Sequence, residues 1–170
     1  MIETDRLTLR PHTLGDFDDM LEISNDAEVM QFISHGARAT RHDVWTKLLR
    51  NIGHWSAFGY GLFAVLEKSS GRYLGDTGLA DFHRDLGEDF DPFPEAGWVY
   101  ARHAHGKGYA TEAADAAHGW FFAKHGNMRT VCIISPGNTG SIGVARKLGY
   151  APFAETQYKG DAVIKFERLA

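Results

Sequence analysis

The sequence predicts one domain of the α/β class. Its 170 residues are 44% hydrophobic and 24% charged, which is the composition of an ordinary globular domain. Helical patterns alternate with short apolar runs after residue 95, and a long helical pattern separates the runs Glu95–Tyr100 and Thr130–Ile134. That arrangement is typical of two parallel strands joined by a helical crossover. We find no linker, internal repeat or low-complexity tract, so residues 1–170 are predicted to form a single domain, although this pattern by itself fits many α/β folds.

The first third of the chain predicts a strand and two helices. Leu7-Thr8-Leu9 alternates apolar and polar residues as a strand does. A hydroxyl cap with an acid three residues later predicts a helix start at Thr13 and a second at Thr40. The first helix should bury Leu14, Phe17, Met20 and Leu21 on one face, and the second should bury Val44, Leu48, Ile52 and Trp55.

A hairpin and a loop follow. The segment Gly61–Leu66 is almost wholly apolar, as in a strand covered on both faces, and Ser69-Ser70-Gly71 is a turn. The ranges Gly61–Glu67 and Arg72–Phe82 are therefore predicted to pair as an antiparallel hairpin. Residues 83–94 carry four acids (Asp85, Glu88, Asp89 and Asp91) and read as a loop, either solvated or attracting a cationic acceptor. Phe90 and Phe93 could line an acceptor pocket or anchor that loop.

The remainder alternates strands and helices. Glu95–Tyr100 is predicted as a strand, and Gly106–His125 carries the strongest helical pattern, with Tyr109, Ala113, Ala117, Trp120 and Phe121 spaced for one face. The pattern then predicts a strand over Thr130–Ile134, a short helix over Ser141–Leu148 and two C-terminal strands that end near Arg168.

Charge and composition exclude several functions. A formal net charge of −4 without a basic tail argues against nucleic acid as a partner. The N-terminus has acids where a signal peptide needs a basic start, and the apolar runs are too short to span a membrane, so we expect a cytoplasmic protein without membrane contact. Cys132 is the only cysteine, and its apolar run offers no His or cation to activate the thiol, which favours a buried strand residue over a nucleophile.

The segment from Trp98 to Ala113 predicts a phosphate site. A strand leads through a short turn into a helix start that contains Gly106 and Gly108. The first N–H groups of a helix lack internal partners, and glycines let an anion approach them. A turn whose glycines serve only the backbone is the alternative. The Rossmann pattern fails because position 111 is Thr, and the Walker pattern fails because Gly108 follows Lys107.

Several motifs taken together resemble one family. They are Thr4-Asp5-Arg6-Leu7-Thr8-Leu9-Arg10, Glu95-Ala96-Gly97-Trp98, Gly106-Lys107-Gly108-Tyr109-Ala110-Thr111-Glu112-Ala113, Asn138-Thr139-Gly140-Ser141 and Lys147-Leu148-Gly149-Tyr150. In this order and spacing they closely resemble the GNAT superfamily of N-acetyltransferases, and most of all its RimJ/RimL-like branch. Each motif alone is weak, but the set spans nearly the whole chain.

The resemblance implies a fold and a cosubstrate. The expected fold is α/β (α+β), with a mixed, mostly antiparallel sheet of about seven strands flanked by four helices and splayed between strands four and five. The cosubstrate would be acetyl-CoA, with no metal, and the sequence leaves a homodimer open. The implied acceptor is a primary amine, on a small molecule or a protein N-terminus.

The resemblance also assigns cofactor-binding residues. The backbone around Val99 and Tyr100 would pair with the pantetheine arm. The pyrophosphate loop and first helical turn would comprise His105, Gly106, Lys107, Gly108, Tyr109, Ala110 and Thr111, with His105 standing where Gln or Arg is commoner. Asn138 would bind the pantetheine region, although a plain helix N-cap is an alternative. Ser141 would lie near the thiol sulfur, and Arg146 and Lys147 would either reach the phosphates or be solvated.

The chemistry requires a neutral amine. A lysine-like amine is less than about 0.1% neutral at pH 7, so a general base is expected. Glu95 is the first candidate because it opens the strand beside the thioester, and Asp81 and His83 are second choices. Glu112 near a helix start is interpreted as structural. Many members of the family have a tyrosine acid where this chain has Ala145, so Ser141 is the candidate to protonate the thiolate. A catalytically silent acyl-CoA-binding module, acting as a sensor or interaction platform, is the alternative function.

Overall fold

The computed structural model describes residues 1–34 and 36–170. In that part of the chain, eight strands form one sheet in the order β1-β2-β3-β4-β5-β6-β8-β7, accompanied by five α-helices. The strands are Ile2–Glu3 (β1), Leu7–Pro11 (β2), Leu62–Glu67 (β3), Tyr73–Ala80 (β4), Glu95–Tyr100 (β5), Thr130–Ile134 (β6), Ala151–Tyr158 (β7) and Asp161–Arg168 (β8). The helices are Phe17–Asn25 (α1), Ala27–Met30 (α2), Arg41–Phe58 (α3), Tyr109–His125 (α4) and Thr139–Lys147 (α5).

The predicted fold class is confirmed, with two short elements added. The two-residue strand β1 and the four-residue helix α2 account for the difference from about seven strands and four helices. Both are too short to give a periodic pattern. The other boundaries differ from the predicted ones by up to three residues.

The sheet is antiparallel except where β5 meets β6. These two strands are parallel and share a single register pair, Glu95 opposite Val131, beyond which they diverge. The predicted splay is therefore present. It lies between β5 and β6, which are the predicted strands four and five, because the short β1 shifts the numbering by one. Helix α4 is the crossover that connects the two strands. Below we call the space between the diverging strands the β5–β6 gap.

Of the two predicted helix starts, the structure confirms the one at Thr40 and moves the one at Thr13. At α3, Thr40 Oγ1 accepts from the Asp43 N–H (3.1 Å) and Asp43 Oδ2 accepts from the Thr40 N–H (2.9 Å), so this capping box is as predicted. Near Thr13 a single turn of 3-10 helix, Leu14–Asp16, precedes α1. Leu14 lies on that turn and is 57% exposed, so its predicted burial is wrong. The periodic pattern of α1 therefore begins at Phe17.

Helix α4 begins three residues later than predicted. Gly106 and Gly108 have φ angles of 72° and 78°, which no right-handed helix can contain. The helix starts at Tyr109, where left-handed geometry ends. The two glycines therefore form a loop in front of the helix instead of its first turn.

Apolar packing covers both faces of the sheet. Helix α4 packs its small residues Ala113 and Ala117 against Leu7, Phe63 and Tyr100. On the opposite face, α1 and α3 pack Met20, Val44 and Leu48 against Ala64 and Tyr73. None of the helices in the described part of the chain is long and apolar enough to cross a membrane.

A buried polar cluster lies beneath α3. Asp76 of β4 is 2% exposed and binds His12 Nε2 (2.8 Å), Lys47 Nζ (2.9 Å) and the Tyr73 hydroxyl. Burial alone would raise the pKa of Asp76, but Lys47 and His12 outweigh it and hold this pKa well below its usual range. Asp76 is therefore an ionised buried carboxylate that ties α3 and the segment after β2 to the sheet.

Candidate active site

A large cleft opens along the β5–β6 gap. Its volume is about 1210 Å³, and its walls come from β5, β6, the start of α4, the start of α5 and the β7–β8 hairpin. The predicted site residues that line it are Glu95, Val99, Tyr100, His105, Gly106, Gly108, Tyr109, Ala110, Thr111, Asn138 and Ser141. Lys107 is exposed and is not among the lining residues, although the residues on either side of it are.

At one end of the cleft lie the first backbone N–H groups of α4. The first intrahelical bond of α4 runs from Glu112 N to Gly108 O (3.1 Å), so the N–H groups of Tyr109, Ala110 and Thr111 have no partner within the helix. Gly106 has no atom within 4 Å of the position that a Cβ would take. This combination of left-handed glycines and free helix N–H groups is suited to an anion such as a pyrophosphate.

The N-terminal segment holds this loop in place. Arg6 donates from Nη1 to the Lys107 carbonyl (3.0 Å) and from Nε to Glu112 Oε2 (2.7 Å), and Thr4 donates to Glu112 Oε1 (2.6 Å). These contacts confirm a structural role for Glu112, though it acts by binding the N-terminal segment more than by facing the helix dipole. They also give a physical reason for the Thr4-Asp5-Arg6 motif, whose role the sequence analysis did not identify.

The backbone of β5 presents alternate residues to the gap. Pro94 O accepts from Val131 N on the β6 side (3.1 Å), whereas Ala101 N donates to Leu74 O on the β4 side (2.8 Å). Because alternate residues of a strand direct their backbone groups to the same edge, Trp98 and Tyr100 face the gap and Val99 faces β4. The predicted backbone pairing through Val99 is therefore wrong, although its side chain lines the cleft.

His105 has a local partner. Its Nε2 donates to the Tyr100 carbonyl (2.9 Å), which fixes the end of β5 against the glycine loop. His105 therefore links the turn after β5 to the end of that strand.

Ser141 and Asn138 lie at the start of α5. Asn138 Oδ1 accepts from Ser141 N (3.0 Å), so Asn138 is an N-cap and also lines the cleft. Trp98 Nε1 donates to Ser141 Oγ (3.2 Å), so the indole bridges from β5 to α5. Because the Ser141 oxygen accepts this bond, its own proton remains available for a group in the cleft. Trp98 was quoted in a motif but was not predicted as a site residue.

Glu95 lies in the cleft and forms an ion pair. It is 4% exposed, and Arg84 Nε donates to its Oε2 (2.6 Å). Burial raises the pKa of Glu95 above its ordinary value, although Arg84 opposes this effect. We call the group Arg84, Glu95 and Tyr158 the Glu95 end of the cleft, since all three line it and Arg84 contacts the other two.

The second-choice bases lie elsewhere. Asp81 accepts from the Tyr60 hydroxyl (2.9 Å), and neither Asp81 nor His83 is among the residues that line the cleft. In the acidic loop, Asp89 pairs with Lys165 (2.9 Å) and Asp91 accepts from the Gly87 N–H (2.8 Å). These two carboxylates therefore have partners within the protein.

Burial and position distinguish four other residues named in the sequence analysis. Phe90 is 1% exposed and anchors the acidic loop. Cys132 is 1% exposed, as predicted, and burial raises the pKa of its thiol well above the usual value, so it is not a nucleophile. Lys147 lines the cleft, whereas Arg146 is exposed and lies outside it.

This fold and cleft define an acetyltransferase of the GNAT class. Residues 6–151 match the family described as "Acetyltransferase (GNAT) domain". Since the match spans most of the chain, the chain belongs to the GNAT acetyltransferase family, as its motifs predicted. The RimJ/RimL-like branch stays a prediction.

Three relatives show the range of similarity. The chain is 31% identical over 149 residues to the YkkB protein of Bacillus subtilis (strain 168), covering 86% of this chain and 82% of the relative. It superposes on a GNAT-family acetyltransferase structure from Bordetella pertussis with a TM-score of 0.86 and 30% identity, over 98% of each chain. A spermidine N-acetyltransferase from Vibrio cholerae, solved with CoA and spermine, has a TM-score of 0.74 at 16% identity, covering 98% of this chain and 96% of that one.

Proposed function

We propose that this protein transfers the acetyl group of acetyl-CoA to a primary amine by direct attack of the amine on the thioester. One observation carries the proposal: a single cleft of about 1210 Å³ joins the glycine loop before α4 to Ser141 and Glu95. An anion site, a hydroxyl and a carboxylate are thus placed along one continuous channel. A thioester carrier with a phosphorylated tail requires these groups in one site.

The residues present fit acetyl-CoA. The pyrophosphate would lie on the N–H groups of Tyr109, Ala110 and Thr111, which the left-handed Gly106 and Gly108 leave accessible. The pantetheine arm would pair with the gap-facing backbone of Trp98 and approach Asn138. When bound, acetyl-CoA supplies the activated acetyl group.

Three groups of the chain would then act on protons and charge. Glu95 accepts the proton of the attacking amine, and its raised pKa brings the base closer to neutral pH. Gap-facing N–H groups of β5 stabilise the oxyanion that develops on the acetyl carbonyl. The Ser141 hydroxyl donates its proton to the departing thiolate.

One contact favours the alternative of a silent acyl-CoA-binding module. The ion pair with Arg84 stabilises the charged form of Glu95 and so weakens it as a base. Burial acts in the opposite direction on the pKa of Glu95. We favour catalysis because Glu95 and Ser141 line the same cleft as the glycine loop. The spermidine enzyme shares only the fold with this chain, so the acceptor has to be argued from the cleft itself.

The test is a free-thiol assay with acetyl-CoA and a panel of amines, applied to the wild type and to Glu95→Gln. The substitution keeps the shape of the side chain and removes the base, so turnover should fall by about 10²–10⁴-fold. Raising the pH should restore part of the loss because more of the acceptor is then neutral. Glu155→Gln, an exposed carboxylate on β7, is the matched control and should behave as the wild type.

Calorimetric titration with acetyl-CoA separates the two candidate functions. Binding with turnover supports the transferase, whereas binding without turnover on any amine supports the silent module. A folded Glu95→Gln protein with wild-type turnover and an unchanged pH profile would rule out Glu95 as the base.

A further inference from the structure

Arg84 is held at the Glu95 end of the cleft by three side chains. Its Nε donates to Glu95 Oε2 (2.6 Å), and its guanidinium carbon lies 4.7 Å from the ring centroid of Phe82 and 4.9 Å from that of Tyr158. In the described part of the chain, Nε–H is the one of its five N–H donors with a defined hydrogen bond to the protein.

The backbone around Arg84 is in an uncommon conformation. His83 and Asp85, the residues on either side, have φ angles of 48° and 60°, in the left-handed region that few non-glycine residues adopt. The Arg84 N–H is bound to Asp91 Oδ1 (3.2 Å). Strained backbone is commonly found where a side chain must be presented in one orientation. The direction of the Arg84 side chain is therefore fixed by the loop as well as by its partners.

A second guanidinium increases the positive charge beside Arg84. Arg50 of α3 lies 5.7 Å from the centroid of the same Phe82 ring, and burial followed by the proximity of Arg84 lowers the pKa of Arg50. In the described part of the chain Arg50 makes no ion pair. Two arginines thus pack against one aromatic ring, and the Arg84 side chain pairs with Glu95.

From this geometry we propose, on the basis of the function proposed above, that the acceptor is an α-amino acid whose carboxylate binds the unused N–H edge of Arg84. Arg84 is then a specificity-determining residue that touches the substrate. Because Arg84 is already bound to Glu95, a carboxylate on its free edge places an amine on the adjacent carbon within reach of Glu95. A polyamine or a protein N-terminus carries no carboxylate on that carbon.

The chemical step balances without a further reactant. The amine nitrogen forms a bond to the acetyl carbonyl carbon and loses one proton to Glu95. The carbon–sulfur bond breaks, and the thiolate of coenzyme A leaves and takes the proton of Ser141. Solvent replaces the serine proton, and Glu95 releases its proton to solvent. The products are an N-acetylamino acid and coenzyme A.

Matched acceptor pairs test the proposal. The free-thiol assay is run with L-leucine against isoamylamine, L-phenylalanine against phenethylamine, and L-ornithine against putrescine, which differ by the carboxylate. Since a charge-assisted hydrogen bond to a carboxylate is lost with the amine, the acid of each pair should show a kcat/KM at least about tenfold higher. In Arg84→Met the preference should fall to about twofold or less, through a rise in the KM of the acid alone. Arg41→Met, an arginine with 70% of its side chain exposed, should keep the wild-type preference.

Several results would overturn the proposal. A higher kcat/KM for the amines or for putrescine would assign the Glu95 end to a cationic acceptor without a carboxylate instead. An acid preference that persists in a folded Arg84→Met protein would place the carboxylate elsewhere, and if that variant does not fold, the wild-type ratios alone decide. Coenzyme A binding without transfer to either member of any pair would also overturn it, whereas failure to bind coenzyme A at all would refute the proposed function first.

Discussion

Gly108→Asp is the substitution that most directly tests the anion site before α4. Gly108 has φ 78° and ψ 1°, and its added Cβ would meet Arg6 Nη2 at 3.5 Å, an ordinary contact. The site therefore has room for a side chain, and the cost to folding is mainly the left-handed backbone, roughly 1 kcal/mol. For a chain of this size that cost lowers the Tm by about 2–4 °C, so the variant should stay folded.

The effect on cofactor binding should be larger. A carboxylate about 6 Å from one pyrophosphate charge costs about 3 kcal/mol at an effective dielectric of about 20. That corresponds to an increase of about 100-fold in the Kd for acetyl-CoA. Isothermal titration calorimetry measures this Kd, and the rise in Tm that acetyl-CoA gives the wild type should be reduced in the variant.

Gly59 provides the matched control. It is the C-cap of α3 with φ 72° and ψ 10°, and no atom lies within 4 Å of its added Cβ. Gly59→Asp carries the same backbone strain and the same charge far from the cleft, so it should lose a similar amount of Tm and keep its acetyl-CoA affinity. If folded Gly108→Asp binds acetyl-CoA as tightly as Gly59→Asp does, the assignment of this loop to the pyrophosphate is wrong.

Two further predictions concern Ser141 and Asp76. Ser141→Ala should lower turnover by about 10²-fold with little change in coenzyme A affinity, because it removes the hydroxyl proton that is proposed to reach the thiolate and that the bond from Trp98 leaves available. Reduced affinity with unchanged turnover would make Ser141 a binding residue only. Ser56→Ala on the exposed face of α3 is the control. Asp76→Asn should lower the free energy of unfolding by about 3 kcal/mol or more at neutral pH, measured by urea denaturation, because it removes the buried carboxylate that pairs with Lys47 and binds His12. Since the folded-state pKa of Asp76 is depressed, the wild type should lose this stabilisation as the pH falls below about 4, and Asp76→Asn should lose less stability over that range. Equal acid sensitivity in the two proteins would refute the role of Asp76. Asp18→Asn, at an exposed carboxylate, is the control.

The sequence by itself determined the features that depend on local structure. The capping box of Thr40 and Asp43 is encoded within a few residues, and so is a glycine-bearing turn before α4, because caps and left-handed glycines are requirements of the local backbone. The order of the strands and helices along the chain and the α4 crossover followed from periodicity, which reports which face of an element is buried. The family followed from short motifs whose residue types, order and spacing could be read directly.

Only the tertiary structure decided which side chains meet. The contact of Arg6 with Lys107 spans 101 positions of sequence, and that of Trp98 with Ser141 spans 43, so no local pattern predicts either. Arg84 was not singled out by the sequence, because a loop arginine becomes a site residue only when β5 brings Glu95 to it and β7 brings Tyr158. The direction of the Val99 backbone was missed for the same reason, since it depends on the register between β5 and β4. Local propensity fixes which elements form, and the topology of the sheet fixes which of their residues share the cleft.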